Sequence, residues 1–216
     1  MAQYKTYEDP ILGPVVFCRK KGVRRIRLKV HPVKGVSVTM PWLMPFFLAL
    51  AFFHKERDWA VRTLSRQKEL NPGLKPMDAD QIESMRRQAK AILPQRLAEL
   101  ASRYGFVYNR VAIKHNSSNW GSCSSKDNIN LNLNIMRLPE VLQDYILLHE
   151  LCHLRHRNHG EEFHALLDSL LKDNLGIRIS QGDAAAEDML SAVMKSRSAR
   201  PYDYVMSREV KKYRLI

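Results

Sequence analysis

His149-Glu-Leu-Cys-His153, flanked by leucines in the middle of a helical pattern, is the stretch that decides the fold. Histidines four apart on a helix project from one face and can share one divalent ion, and Glu150 then sits beside that ion without ligating it. Zinc suits the donors, since it binds imidazole nitrogen at about 2.0–2.1 Å and lowers the pKa of bound water to about 7. A carboxylate within hydrogen-bond reach can take the proton of that zinc-bound water and return it to a leaving group. A catalytic zinc usually has three protein ligands, so a third is sought among His156, His159, His164 and nearby carboxylates. On a continuous helix His156 lies about 10 Å along the axis from His149, too far to share the ion. His159 is preferred, provided that the helix ends near Asn158 and this residue turns the chain back in a left-handed conformation. The metzincin pattern has Gly where His156 stands, which disfavours that subclass. Cys152, on a neighbouring helix face, reads as a buried thiol.

Working outward, the metal helix opens at Leu138-Pro-Glu140, with Pro at the first helical position and an acid in the first turn. Residues 107–115 and 128–135 read as strands, joined by a polar connection over 117–127 that belongs near the site. A further helix is expected from Glu161 to Lys172, and the chain beyond Gly176 is less patterned. Upstream, Asp78 and Gln81 form a capping-box signature for a helix that runs to Tyr104, kinks at Pro94 and stops at Gly105. The breaker Asn71-Pro-Gly-Leu-Lys-Pro76 marks a domain boundary. Before it, residues 15–41 read as a β-hairpin turning at His31-Pro-Val-Lys-Gly35, followed by a helix from Pro45 to about Lys68. The expected plan is a hairpin-plus-helix module over 1–76, a catalytic domain over 77–176 and a tail over 177–216.

Net charge is +13 in 216 residues, which attracts polyanions. Arg24, Arg25 and Arg27, beside Arg19, Lys20 and Lys21, make the hairpin a candidate anion- or nucleic-acid-binding stripe, the alternative being a solvated face. Met40 to Phe53 is an unbroken apolar run of 14 residues containing Pro41 and Pro45. A spanning helix needs roughly 20, so the run reads as a buried helix, with a partner or membrane-surface contact as the alternative. Cys18, Cys123 and Cys152 form no CxxC pair, and no signal-peptide pattern opens the chain. Reduced thiols and a cytoplasmic location are expected.

Three stretches together resemble the YgjP-like metallopeptidase family, a relative of SprT-like and minigluzincin proteins: Trp120-Gly-Ser-Cys-Ser-Ser-Lys126 with Ile129-Asn-Leu-Asn132, His149 to His153, and Asn158-His159 with Phe163. The resemblance spans roughly residues 78–172, and extends more weakly to Arg24-Arg-Ile-Arg-Leu28, Val36 to Pro41 and Glu56 to Trp59. It implies an α+β, zincin-like catalytic domain, one zinc per chain on His149, His153 and His159, and Glu150 as general base. Asn119 departs from the basic residue usual before Trp-Gly-Ser-Cys, and the helix from Pro45 is more apolar than usual.

Peptide hydrolysis is the leading expectation, with a peptide or protein as substrate. Asn119, Trp120, Gly121 and Ser122 are the candidate substrate-binding residues, since a strand edge beside a metal helix can hold an extended peptide by its backbone. Trp120 can equally anchor the core, and Asn119 or His156 are candidates for stabilising the oxyanion. Two alternatives stand beside it: hydrolysis of an anionic substrate such as a nucleoside triphosphate, and a nucleic-acid-associated, SprT-like role for the basic surface.

Overall fold

The computed structural model describes residues 2–70 and 75–215, with two units, Met1–Pro76 and Met77–Ile216. In the first, strands β1 (Gln3–Asp9), β2 (Gly13–Lys20), β3 (Arg27–His31) and β4 (Gly35–Pro41) form one sheet in the order β1-β2-β4-β3. Neighbours run antiparallel except β2 and β4, which are parallel. Period-two alternation sends Val15, Phe17, Val36, Val38 and Met40 to one face, where they pack with Ala49, Phe53, Ala60 and Leu64 of helix α1 (Phe46–Leu70). Asp9 closes the β1–β2 turn by accepting from the Ile11 and Leu12 amides, and Arg57 of α1 grips the same carboxylate at 2.6 and 3.0 Å.

The single hairpin expected over 15–41 is therefore incomplete. The hairpin is β3–β4, and β2 joins it in parallel with β1 outside. β1 escaped notice because it is a polar edge strand, exposed over most of its length. The apolar run Met40–Phe53 is likewise not one buried helix; it divides into the end of β4, a turn, and the first turns of α1. Of the expected breaker Asn71–Pro76, residues 71–74 lie outside the described residues.

The second unit opens with α2 (Ala79–Tyr104), where Asp78 and Gln81 exchange both capping-box hydrogen bonds and Gly105 ends the helix at φ 66°. A three-stranded sheet follows in the order β5-β7-β6, from β5 (Arg110–Lys114), β6 (Gly121–Cys123) and β7 (Asn128–Asn132). β6 lies inside the segment expected to be a mere connection, and residues 133–135, expected as the end of a strand over 128–135, belong instead to a 3₁₀ helix (Leu133–Arg137) capped by the Asn132 side chain. Helix α3 (Glu140–Cys152) is buried on nearly every side, which its continuous Val141–Leu148 stretch requires, and Pro139 is its N-cap rather than its first residue. Helices α4 (Glu161–Ser180), α5 (Ala184–Met194) and α6 (Pro201–Val210) complete the unit. The last two occupy a region without assigned structure in the sequence reading. They bury Met189, Val193, Val205, Met206 and Val210 in the same core as α2 and α3.

Asp144 of α3 is buried at the junction of three helices. It accepts from Arg96 of α2 at 2.8 and 2.6 Å, and from Asn174 and Arg178 of α4 at 2.9 Å each. His149 lies five positions further along, so helical geometry turns the two about 140° apart around α3. One face of this helix is thus fastened while another presents the histidines.

Candidate metal centre

His149 and Glu150 belong to the last turn of α3, and His153 is the residue immediately after it. The helix ends earlier than expected, at Cys152, and Asn158 has no left-handed backbone; Asp127 is the one non-glycine residue with positive φ among the described residues. Reversal comes instead from consecutive tight turns, in which Leu154 donates to the Leu151 carbonyl and Arg155 and His156 both donate to that of Cys152. Arg157 then ties the loop to the sheet, donating to the Ser124 carbonyl at 2.7 Å and pairing with Asp127. The reversal brings His159 back over His149.

The Nε2 atoms of His149 and His159 lie 3.0 Å apart, and one ligating atom from each of His149, His153 and His159 lies within 4.8 Å of the others. Tetrahedral ligands at about 2.1 Å from a common ion are about 3.4 Å apart, so the three imidazoles are set at a spacing that one Zn²⁺ fits. Phe163 of α4, 1% exposed, supports all three, with ring centroids 4.9, 4.7 and 4.7 Å from those of His149, His153 and His159. His153 Nδ1 lies 3.1 Å from the His156 carbonyl oxygen. A carbonyl only accepts, so Nδ1 carries the proton and Nε2 keeps the lone pair that a metal needs. Burial, reinforced by the neighbouring imidazoles, holds His149 down to about 3, which keeps it neutral.

Glu150 is the outlier. It is 5% exposed, its Oε2 has no hydrogen-bond partner, and burial pushes its carboxyl up to about 8. A buried acid without a partner is costly in a merely structural position, and at functional sites such shifts concentrate. The space for it is made by Gly121 of β6, where a Cβ would stand 2.5 Å from Glu150 Oε1.

β6 is an edge strand, pairing with β7 through Gly121–Leu131, Ser122–Asn130 and Cys123–Ile129. Its approach is fixed by Asn132, whose side-chain amide donates to the carbonyls of Asn116 and Asn119 at 2.8 and 2.9 Å. Asn119 donates to the Gly121 carbonyl, Ser122 accepts from Asn130, and Trp120 packs against the core. His156 faces Glu162 at 3.3 Å. Cys152 is fully buried, its thiol pushed up to about 12 by burial. Arg24, Arg25 and Arg27 are exposed residues of the first unit.

Sequence reasoning missed Asp203, which holds His164, a residue whose ring centroid lies 6.2 Å from that of His159. His164 Nδ1 lies 2.6 Å from Asp203 of α6, whose carboxylate also accepts from Tyr145 of α3 at 3.3 Å. Nothing local marks Asp203, because the partners it joins are 39 and 58 residues away.

Residues 77–177, just under half of the chain, match the family model described as YgjP-like, metallopeptidase domain. This supports a metal-dependent peptidase, and hence a hydrolase. No curated protein matches the chain. Among solved structures, the crystal structure of the metallopeptidase zymogen of Pyrococcus abyssi abylysin is similar, at 20% identity over 42% of this chain and 94% of that chain, with a TM-score of 0.34.

Proposed function

We propose that the second unit is a zincin-like, zinc-dependent peptidase in which His149, His153 and His159 hold one Zn²⁺ and Glu150 is the general base. The observation that carries this reading is the convergence of three imidazole nitrogens beside a buried carboxylate with an unpartnered oxygen. A zinc ion held there supplies Lewis-acid polarisation of the scissile carbonyl and makes water acidic enough to react near neutral pH.

The chain's own residues do the rest. Glu150 accepts the proton of the attacking water and delivers it to the departing amine. The His153–His156 hydrogen bond fixes one ligand's tautomer, and Phe163 fixes the planes of all three. The open edge of β6 receives an extended peptide by strand addition, and Asn119 and Asn132 hold that edge in register.

The deciding experiment pairs elemental analysis with a peptidase and nucleotide-hydrolysis screen of the wild type and Glu150→Gln. One zinc per chain in both, with peptide turnover at least roughly 100-fold lower in the variant, is the expected result. Failure to bind zinc after loading, or full activity in the variant, overturns it. Phosphate release from nucleotides in place of peptide cleavage reassigns the substrate.

A further inference from the structure

Between Asp9 and Glu56 the chain has no acidic residue and nine Lys or Arg. The sheet gathers six of the nine at one end. Register places Arg19 beside Met40 and Lys20 beside Pro41, and Arg27 beside Thr39, so the loop carrying Lys21, Arg24 and Arg25 leaves and re-enters the sheet where β4 finishes. None of the six forms an ion pair among the described residues. The acids Glu8 and Asp9 pair with Pro14 and Gly13 at the opposite end.

The same end carries an apolar tip. Met44 donates to the Pro41 carbonyl at 3.1 Å, closing a turn with Trp42 and Leu43 at its corners, and α1 begins directly after it. Leu43 is 91% exposed, Phe47 66% and Leu48 48%. Cations and apolar groups interleave: the Lys21 ammonium lies 5.6 Å from the Trp42 ring, and that of Lys5 lies 4.0 Å from Phe46.

A contiguous exposed apolar patch with a polar rim marks an interaction site, and the rim chemistry selects its partner. Single-stranded nucleic acid takes cations together with aromatic stacking platforms, but the most exposed residue here is Leu43, which has no face on which a base can stack. Cations around an aliphatic tip, with Trp42 beside the Lys21 ammonium, match the layers of an anionic bilayer: phosphate outside, acyl chain beneath. No described helix is long and apolar enough to cross a membrane, so the contact is peripheral. We propose that this end of the first unit docks on anionic lipid bilayers. Leu43 and Phe47 enter the acyl boundary, and Arg19, Lys20, Lys21, Arg24, Arg25 and Arg27 meet the headgroups. The proposal does not depend on the zinc site.

The test is flotation of the full chain with vesicles of phosphatidylcholine alone or with roughly one-third phosphatidylserine, at low and high salt. Binding confined to the anionic vesicles is expected. Lys20→Gln with Lys21→Gln weakens it roughly 25-fold, at about fivefold per cation removed. Leu43→Ser with Phe47→Ser weakens it by at least roughly tenfold, and these substitutions fall on side chains too exposed to hold the fold. With Trp59→Phe and Trp120→Phe, lipids brominated on the acyl chain quench the remaining Trp42 emission. Several results overturn the proposal. These are no binding to anionic vesicles, equal binding to neutral ones, and insensitivity to Leu43→Ser with Phe47→Ser. Capture of a DNA or RNA oligonucleotide that needs the lysines but not the apolar tip, with no vesicle binding, assigns the surface to nucleic acid. Self-association lost in the apolar variant, again without vesicle binding, assigns it to a second copy of the chain.

Discussion

A methyl group at position 121 would stand 2.5 Å from Glu150 Oε1 and 2.7 Å from its Cγ. β6 is held by β7 and by the Asn132 clamp, so the strand cannot retreat and the carboxylate must move. The histidines lie outside this contact. Gly121→Ala is therefore expected to keep its zinc while kcat falls about 100-fold, the usual cost of displacing a catalytic group by about 1 Å. Elemental analysis beside steady-state kinetics checks it, and unchanged kcat would argue against Glu150 as the base. Phe163 makes the complementary prediction, since it touches all three imidazoles and has almost no exposure. Phe163→Ala leaves a cavity among the three candidate ligands, and it is expected to lower stability by about 3 kcal/mol and zinc affinity roughly tenfold or more. Chemical denaturation and competition with a chromogenic chelator measure the two effects separately.

α3 is an element fastened on one side and presenting the candidate metal-binding histidines on another. Removing the Asp144 carboxylate leaves Arg96 and Arg178 without their shared acceptor between α2, α3 and α4. Asp144→Ala is expected to cost about 3 kcal/mol in urea unfolding, with the zinc content of the folded fraction unchanged; a loss below about 0.5 kcal/mol would show the network to be dispensable. The elements that could be read from the sequence are those whose ends and periodicity are local. α2 carries its capping box and its terminal glycine in its own residues, and α3 carries the His-Glu-x-x-His spacing. β6 could not be read, because three residues become a strand only through β7 and the Asn132 side chain. α5 and α6 have local start signals, Asp183 and Pro201, but too few turns for a clear apolar period. Their order comes from burial against the rest of the second unit. At the site, the sequence located the turn-back after α3 but not its mechanism. The geometry depends on carbonyl acceptors at Leu151 and Cys152 and on Arg157 reaching the sheet, which a left-handed Asn158 was expected to replace.

Across the whole molecule, charge is distributed so unevenly that acid acts on a few identifiable places. With a net charge of +13 at neutral pH, the chain gains further repulsion whenever a carboxylate is protonated. In the first unit the sensitive carboxylate is Asp9. The Arg57 guanidinium holds its pKa down to about 2 from an ordinary 3.8, helped by the Leu12 and Ile11 amides against the opposing effect of burial. A depressed folded-state pKa means that, between about 4 and 2, the unfolded chain binds more protons than the folded one, so stability rises with pH across that window. The contribution is complete above about 3.8 and disappears as pH falls through about 2. Asp9→Asn removes this titration, so the variant is expected to be less stable than the wild type at pH 6 and to approach it toward pH 2. Trp42 and Trp59 lie in the first unit and Trp120 in the second. Denaturant unfolding followed by fluorescence in a Trp120→Phe background therefore reports on the first unit. A stability gap between the proteins with and without the Asp9→Asn substitution that stays constant from pH 6 to pH 2 would mean that the Asp9–Arg57 pair is not what makes this unit acid-sensitive.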